Sequence, residues 1–138
     1  MTTVLRTIAL AAASLALVVS TAAEAGSSRP RLSGEEQLAK RLKGRVPGTP
    51  TDCIFMPAIR GTQIIDRTAI VYDGGSTIWV NRPRFPESLS SDNIMVTRTT
   101  GSQLCRTDIV TTIDRVSRFN TGSIFLGQFV PYTRPRNH

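Results

Sequence analysis

Thr68-Ala69-Ile70-Val71-Tyr72-Asp73-Gly74-Gly75-Ser76-Thr77-Ile78-Trp79-Val80-Asn81 decides the fold. Two runs rich in β-branched and aromatic residues flank a glycine pair, and glycine takes positive φ without steric cost. Residues 68–73 and 76–81 therefore read as a hairpin closed by a two-residue Gly74-Gly75 loop. Downstream, Arg82-Pro83-Arg84-Phe85-Pro86 has to leave the sheet, because its prolines lack the N–H a ladder needs. Asn93 to Thr99 and Ser102 to Arg106, either side of Thr100-Gly101, suggest a second hairpin. Asp108 to Val116 and Ser123 to Val130 suggest a third around Asn120-Thr121-Gly122, with Pro131 ending the last strand. The expectation is a mainly β domain, a small antiparallel barrel or sandwich of about six strands over residues 46–133, preceded by one short N-terminal helix. Residues 134–138 read as a flexible tail.

Upstream of the β-region the signals change. Ser33 as N-cap places Glu36 at N3, a capping box. Glu35 and Glu36 lie at the positive end of the helix dipole, and Lys40, Arg41 and Lys43 at its negative end before Gly44. A helix of about ten residues follows, too short to persist alone, so its Leu38, Ala39 and Leu42 stripe must dock on another element. Gly44 to Pro50 reads as a linker, and residues 26–45 as a mobile segment carrying that helix.

The first 25 residues read as a signal peptide. Arg6 precedes an apolar run from Ile8 to Val19, and Ala23-Glu24-Ala25 supplies the small residues a signal peptidase accepts, placing cleavage between Ala25 and Gly26. The run is too short for a spanning helix and no cysteine follows the cut. The expected product is therefore periplasmic or secreted, without a membrane span or lipid tether. Cleavage removes one cation, Arg6, and one carboxylate, Glu24, so the net charge of +7 is unchanged.

That charge comes almost entirely from arginine, Lys40 and Lys43 being the only lysines. Basicity often signals nucleic acid, but an exported chain meets little of it. The partners expected are an envelope protein or an anionic lipid or glycolipid surface. Candidate anion contacts are Arg82, Arg84, Arg98, Arg106, Arg115 and Arg118, each with the plainer reading of a solvated surface charge. Cys53 and Cys105, an even pair in an oxidising compartment, read most simply as one disulfide, with two free thiols as the alternative. Such a bond across 52 residues is worth about 4 kcal/mol in the chain-entropy picture.

Catalytic signatures are sparse. The only histidine, His138, sits in the tail, so neither a histidine-based triad nor a zinc site can be built on a rigid scaffold. No cofactor is expected. Asp66, Asp73, Asp92, Asp108 and Asp114 are candidates for paired-carboxylate chemistry, with turn residues or arginine partners as the plainer reading. For Asp108 that means capping backbone N–H groups or pairing with Arg106. Tyr72 and Trp79, on opposite arms of the first hairpin, read either as a stacking platform for a ligand or as core.

Asp52-Cys53-Ile54, Thr68-Ala69-Ile70-Val71-Tyr72, Val80-Asn81-Arg82-Pro83, Leu104-Cys105-Arg106, Asp108-Ile109-Val110 and Gly127-Gln128-Phe129-Val130-Pro131-Tyr132 occur in this order. Over residues 46–133 the chain resembles a family of short exported proteobacterial β-rich proteins of unknown function. The resemblance implies a small disulfide-bonded β-domain and no activity, cofactor or catalytic residue. Similar proteins often carry a second cysteine pair where this chain has Phe85-Pro86 and Ser123-Ile124, which leaves Cys53 and Cys105 a matched couple. Two functional classes stand: a non-enzymatic envelope module that binds a partner protein or anionic surface, and a small carboxylate-dependent hydrolase or a hydrolase inhibitor acting through a loop such as Phe85 to Ser91.

Overall fold

Ala69-Ile70-Val71-Tyr72 carries no charged or amide side chain because both faces of its strand are covered. In a computed structural model of the chain, which describes residues 30–136, this stretch belongs to β4 (Ala69–Asp73). It sits inside a five-stranded antiparallel sheet of order β1-β10-β5-β4-β3, the others being β1 (Val46–Pro47), β3 (Gly61–Ile65), β5 (Thr77–Asn81) and β10 (Phe129–Thr133). Two smaller antiparallel sheets complete the fold. One pairs β2 (Cys53–Phe55) with β7 (Gln103–Cys105). The other orders β6 (Asn93–Thr97), β8 (Ile109–Asp114) and β9 (Asn120–Phe125). The result is sandwich-like and not a closed barrel, with ten strands among the described residues instead of about six. Half of the excess is β1 and β2, strands of two and three residues too short to show a period; the rest is β3 and the division of residues 123–130 between β9 and β10.

Side chains alternate across a strand, and the large sheet uses both faces. Ala69, Val71, Ile78 and Val80 point to one side, where they meet Ile65 and Leu38 of α1 (Gly34–Arg41), with Leu42 and Tyr132 at the margin. Ile70, Tyr72 and Phe129 point to the other, against Ile54, Leu89, Leu104, Val110 and Ile124 of the smaller sheets and loops. The helix thus docks, but through Leu38 and Leu42 only, Ala39 of the expected stripe being exposed. Its capping box forms: the Ser33 hydroxyl accepts from Glu36 N–H at 3.3 Å and the Glu36 carboxylate accepts from Ser33 N–H at 2.7 Å. It spans eight residues instead of ten.

Four local expectations are corrected. The hairpin of β4 and β5 forms, but Gly74 N–H donates to Thr77 O at 2.9 Å, so the two-residue turn is Gly75-Ser76 and not Gly74-Gly75. Only its first residue, Gly75 at φ 82, is left-handed, the type II′ pattern. Asp73 therefore faces Ile78, a shift of two residues that leaves every side chain on its expected face. Residues 93–99 and 102–106 do not form a hairpin, because β6 pairs with β8 and β7 with β2. Residues 123–130 are not one strand: β9 closes on β8 through a turn at 115–119, and the chain then crosses to the large sheet as β10. Finally, Gly44 to Pro50 is not a free linker and Pro131 ends nothing. Val46 and Pro47 pair with Thr133 and Tyr132, and Gly48 N–H donates to Pro131 O at 2.7 Å. Residue 131, like 129, turns its backbone groups toward β1, where the pairing is only two residues long. The missing N–H of Pro131 therefore costs the ladder to β5 nothing.

Candidate functional site

Cys53 and Cys105 are bonded to each other, their Cα atoms 4.0 Å apart. They face each other in register between β2 and β7. Arg106 N–H donates to Asp52 O and Met56 N–H to Ser102 O, so the hydrogen-bonded pairs flank the cysteines and leave them the close, non-hydrogen-bonded position. Around this corner Asp108 accepts from Cys105 N–H at 2.8 Å, the capping role, whereas Arg106 pairs with Asp52 at 3.0 Å and not with Asp108. Residues 1–25 and the cleavage position Ala25/Gly26 lie outside the described residues.

The six candidate arginines occupy separate places. Arg82 forms a two-pronged ion pair with Glu35 of α1, at 2.7 and 2.9 Å. Its guanidinium hydrogen bonds hold the Glu35 carboxyl below the usual carboxylate range. Arg84 lies 5.7 Å above the ring of Phe85, which packs edge-on against Phe125. Arg98 follows β6 and Arg106 precedes β8, near one end of the three-stranded sheet. Arg115 and Arg118 lie in the turn at its other end, where Arg115 donates to Ser91 O at 3.3 Å. That turn is pinned by Asp114, whose carboxylate accepts from Ser117 N–H, Ser117 Oγ and Val116 N–H and is held below its ordinary range by those bonds. Tyr72 and Trp79 face each other across β4 and β5, but Tyr72 is buried edge-on against Phe129 and Trp79 packs on the same core. The pair is core and not a stacking platform.

Four of the five candidate carboxylates are engaged, and Asp92 takes part only through its backbone. Asp66 accepts from Ser91 N–H and Oγ, Asp73 from Arg41 and Gly75 N–H, and Asp108 and Asp114 as above. The Asp92 carbonyl accepts from Arg115 N–H. No group of three or more metal-ligating side chains occurs among the described residues.

A different set of arginines converges. Around the Gly75-Ser76 turn, Arg45 donates to Ser76 O at 2.6 Å, Gly75 O at 3.2 Å and Tyr132 O at 3.4 Å. These carbonyls fix its guanidinium without neutralising it. Arg60 lies against the same turn, since a Cβ built on Gly75 would stand 3.2 Å from its Cζ. Arg134 and Arg136, following β10, line with Arg45, Ser76 and Thr77 an open depression of about 610 Å³. On the opposite flank Arg60 and Arg41 line another of about 420 Å³ with Thr62, Gln63 and Asp73. Asp73 is the one carboxylate lining either depression, and Arg41 pairs with it at 2.6 Å. Arg45, Arg60, Arg134 and Arg136 have no carboxylate partner among the described residues. Sequence reading missed this set because its members come from a helix end, a supposed linker, an unassigned stretch and a supposed tail, brought together by the pairing of β10 with β1 and β5 and of β3 with β4.

Among the described residues no helix is long and apolar enough to cross a membrane. Comparison with protein families, with curated proteins and with solved structures finds nothing that matches this chain.

Proposed function

We propose that the protein is an exported, non-enzymatic, disulfide-bonded β-module of the short proteobacterial type it resembles, and that it binds an anionic lipid surface through the face around Gly75-Ser76. One observation carries the reading: four arginines without carboxylate partners surround a single turn, one of them fixed by three carbonyls. A phosphate-bearing surface supplies the counter-charge that the fold withholds, and guanidinium groups bind phosphate oxygens in pairs. Export is supported by the Ala23-Glu24-Ala25 site and by the disulfide.

Co-sedimentation with vesicles containing phosphatidylglycerol, against neutral phosphatidylcholine vesicles, tests the binding. The expected result is retention on the anionic vesicles only, lost as salt rises from about 0.05 to about 0.5 M. Each arginine near such a surface contributes about 1 kcal/mol, so replacing Arg60 and Arg134 together by Ser weakens binding about 30-fold. Equal binding by the double variant, or none at low salt, refutes the reading. N-terminal sequencing of protein from the cell envelope tests export: a chain beginning at Gly26 is expected, and a retained residue 1–25 segment rules it out.

A further inference from the structure

Along the β3 edge of the large sheet, next to the depression that Arg41 and Arg60 line, the sandwich is open. β3 is an edge of the large sheet and β6 an edge of the three-stranded sheet, and they line a shared cleft of about 580 Å³ without pairing with each other. Met56, Ile64 and Met95 supply its apolar wall and Tyr72 part of its floor. Tyr72 is 2% exposed, and its hydroxyl has no hydrogen-bond partner, the one such buried side-chain group among the described residues. An orphan hydroxyl in a core is a standing cost unless something occupies the site to meet it. Arg115 lies at the Ser91 end of the cleft and donates only to a carbonyl. Tyr72 lies opposite Thr62, toward the other end. From Thr62 to Ile65, beside the Asp66 contact with Ser91, is three strand residues, about 10 Å.

We propose that this cleft binds an extended peptide by strand addition, with a carboxylate at Arg115 and a backbone carbonyl three residues before it accepting from the Tyr72 hydroxyl. Two edge strands facing one groove present unpaired backbone N–H and C=O groups, and a peptide backbone is the ligand that meets them. An acyl chain fills the apolar wall but leaves Tyr72 and both edges as they are. The peptide's own 3.3 Å rise sets the spacing of carboxylate and carbonyl that the cleft requires.

Trp79, the only tryptophan and the direct neighbour of Tyr72 on β5, reports occupancy by its fluorescence. The probes are an N-acetylated hexapeptide of alternating Val and Thr with a free C-terminal carboxylate, its C-terminal amide, its backbone N-methylated form, and laurate. Saturable binding of the free peptide is expected, about tenfold weaker for the amide, which loses a charge-assisted bond, and absent for the N-methylated form. The Tyr72→Phe protein is expected to stay folded, with a melting temperature at or above that of the parent, and to bind about fivefold more weakly. The Arg60→Ser, Arg134→Ser protein, which tests the lipid-binding face, is expected to bind the peptide unchanged, so the two readings fail separately. No saturable signal at millimolar peptide, equal binding of the three peptides, or binding of laurate in place of peptide overturns the proposal.

Discussion

Tyr72 concentrates several properties of the fold at one residue. Its ring closes the core against Phe129 at 5.7 Å, and burial pushes its phenol well above the ordinary value of 10.0. An acid whose folded form resists ionisation lends stability that is whole below the unfolded value and drains as pH rises past it, because only the unfolded chain then gains by losing the proton. Urea unfolding is therefore expected to show stability falling above about pH 10. In Tyr72→Phe that component of the alkaline loss disappears, and stability at neutral pH rises by about 1 kcal/mol as the orphan hydroxyl goes. Asn81 is the opposite case. It is fully buried, its amide donates to Gly127 O at 2.7 Å, and its oxygen accepts from Gly127 N–H at 3.0 Å, so both backbone groups of one glycine are satisfied by one side chain. A Cβ on Gly127 would meet Arg82 O at 2.3 Å, which is why the clamped residue has no side chain. Asn81→Ala strands both groups, and denaturant titration is expected to show a loss of about 2 to 3 kcal/mol. Asn81 and Gly127 stand in stretches that sequence reading singled out, yet their partnership spans 46 residues and leaves no local trace.

At the scale of elements, legibility followed the range of the physics. α1 was readable because a capping box and a dipole-matched charge pattern are written within one turn of their own effect. Ser33→Ala is expected to cost about 1 kcal/mol in thermal unfolding and to free the first-turn amides to exchange. The turn of β4 and β5 was readable for the same reason, but its exact register was not, since Gly74 and Gly75 can each supply positive φ. Beyond nearest neighbours the reading failed. Residues 93–99 and 102–106 alternate as hairpin arms should, yet β7 is drawn to β2, where the disulfide joins the two strands. Proline misled twice: at Pro47 and Pro131 its missing N–H falls on lightly paired sides, and a sequence does not say which side of a strand will be an edge. The same blindness hid the convergence of Arg45, Arg60 and Arg134, since nothing in the order of residues announces that one turn will lie between them.

At the largest scale, residues 30–136 form a large sheet whose two faces are covered by unlike things, the helix α1 on one and two small sheets on the other. The two-stranded sheet is so short that its attachment depends heavily on the Cys53–Cys105 bond. Replacing both cysteines by alanine is expected to lower unfolding free energy by about 4 kcal/mol for a separation of 52 residues, measured by chemical denaturation of the double variant beside the parent. The order β1-β10-β5-β4-β3 carries a further implication for how the chain is made. β10 is the last of these ten strands in chain order, yet it lies between the edge strand and the centre of the sheet. Until residues 129–133 have emerged from the ribosome, β5 has an unpaired flank, β1 has no partner, and Phe129 is missing from the core. A growing chain of this topology therefore leaves its large sheet unfinished until residue 133 has emerged, and that sheet stays threadable for as long as β10 is withheld.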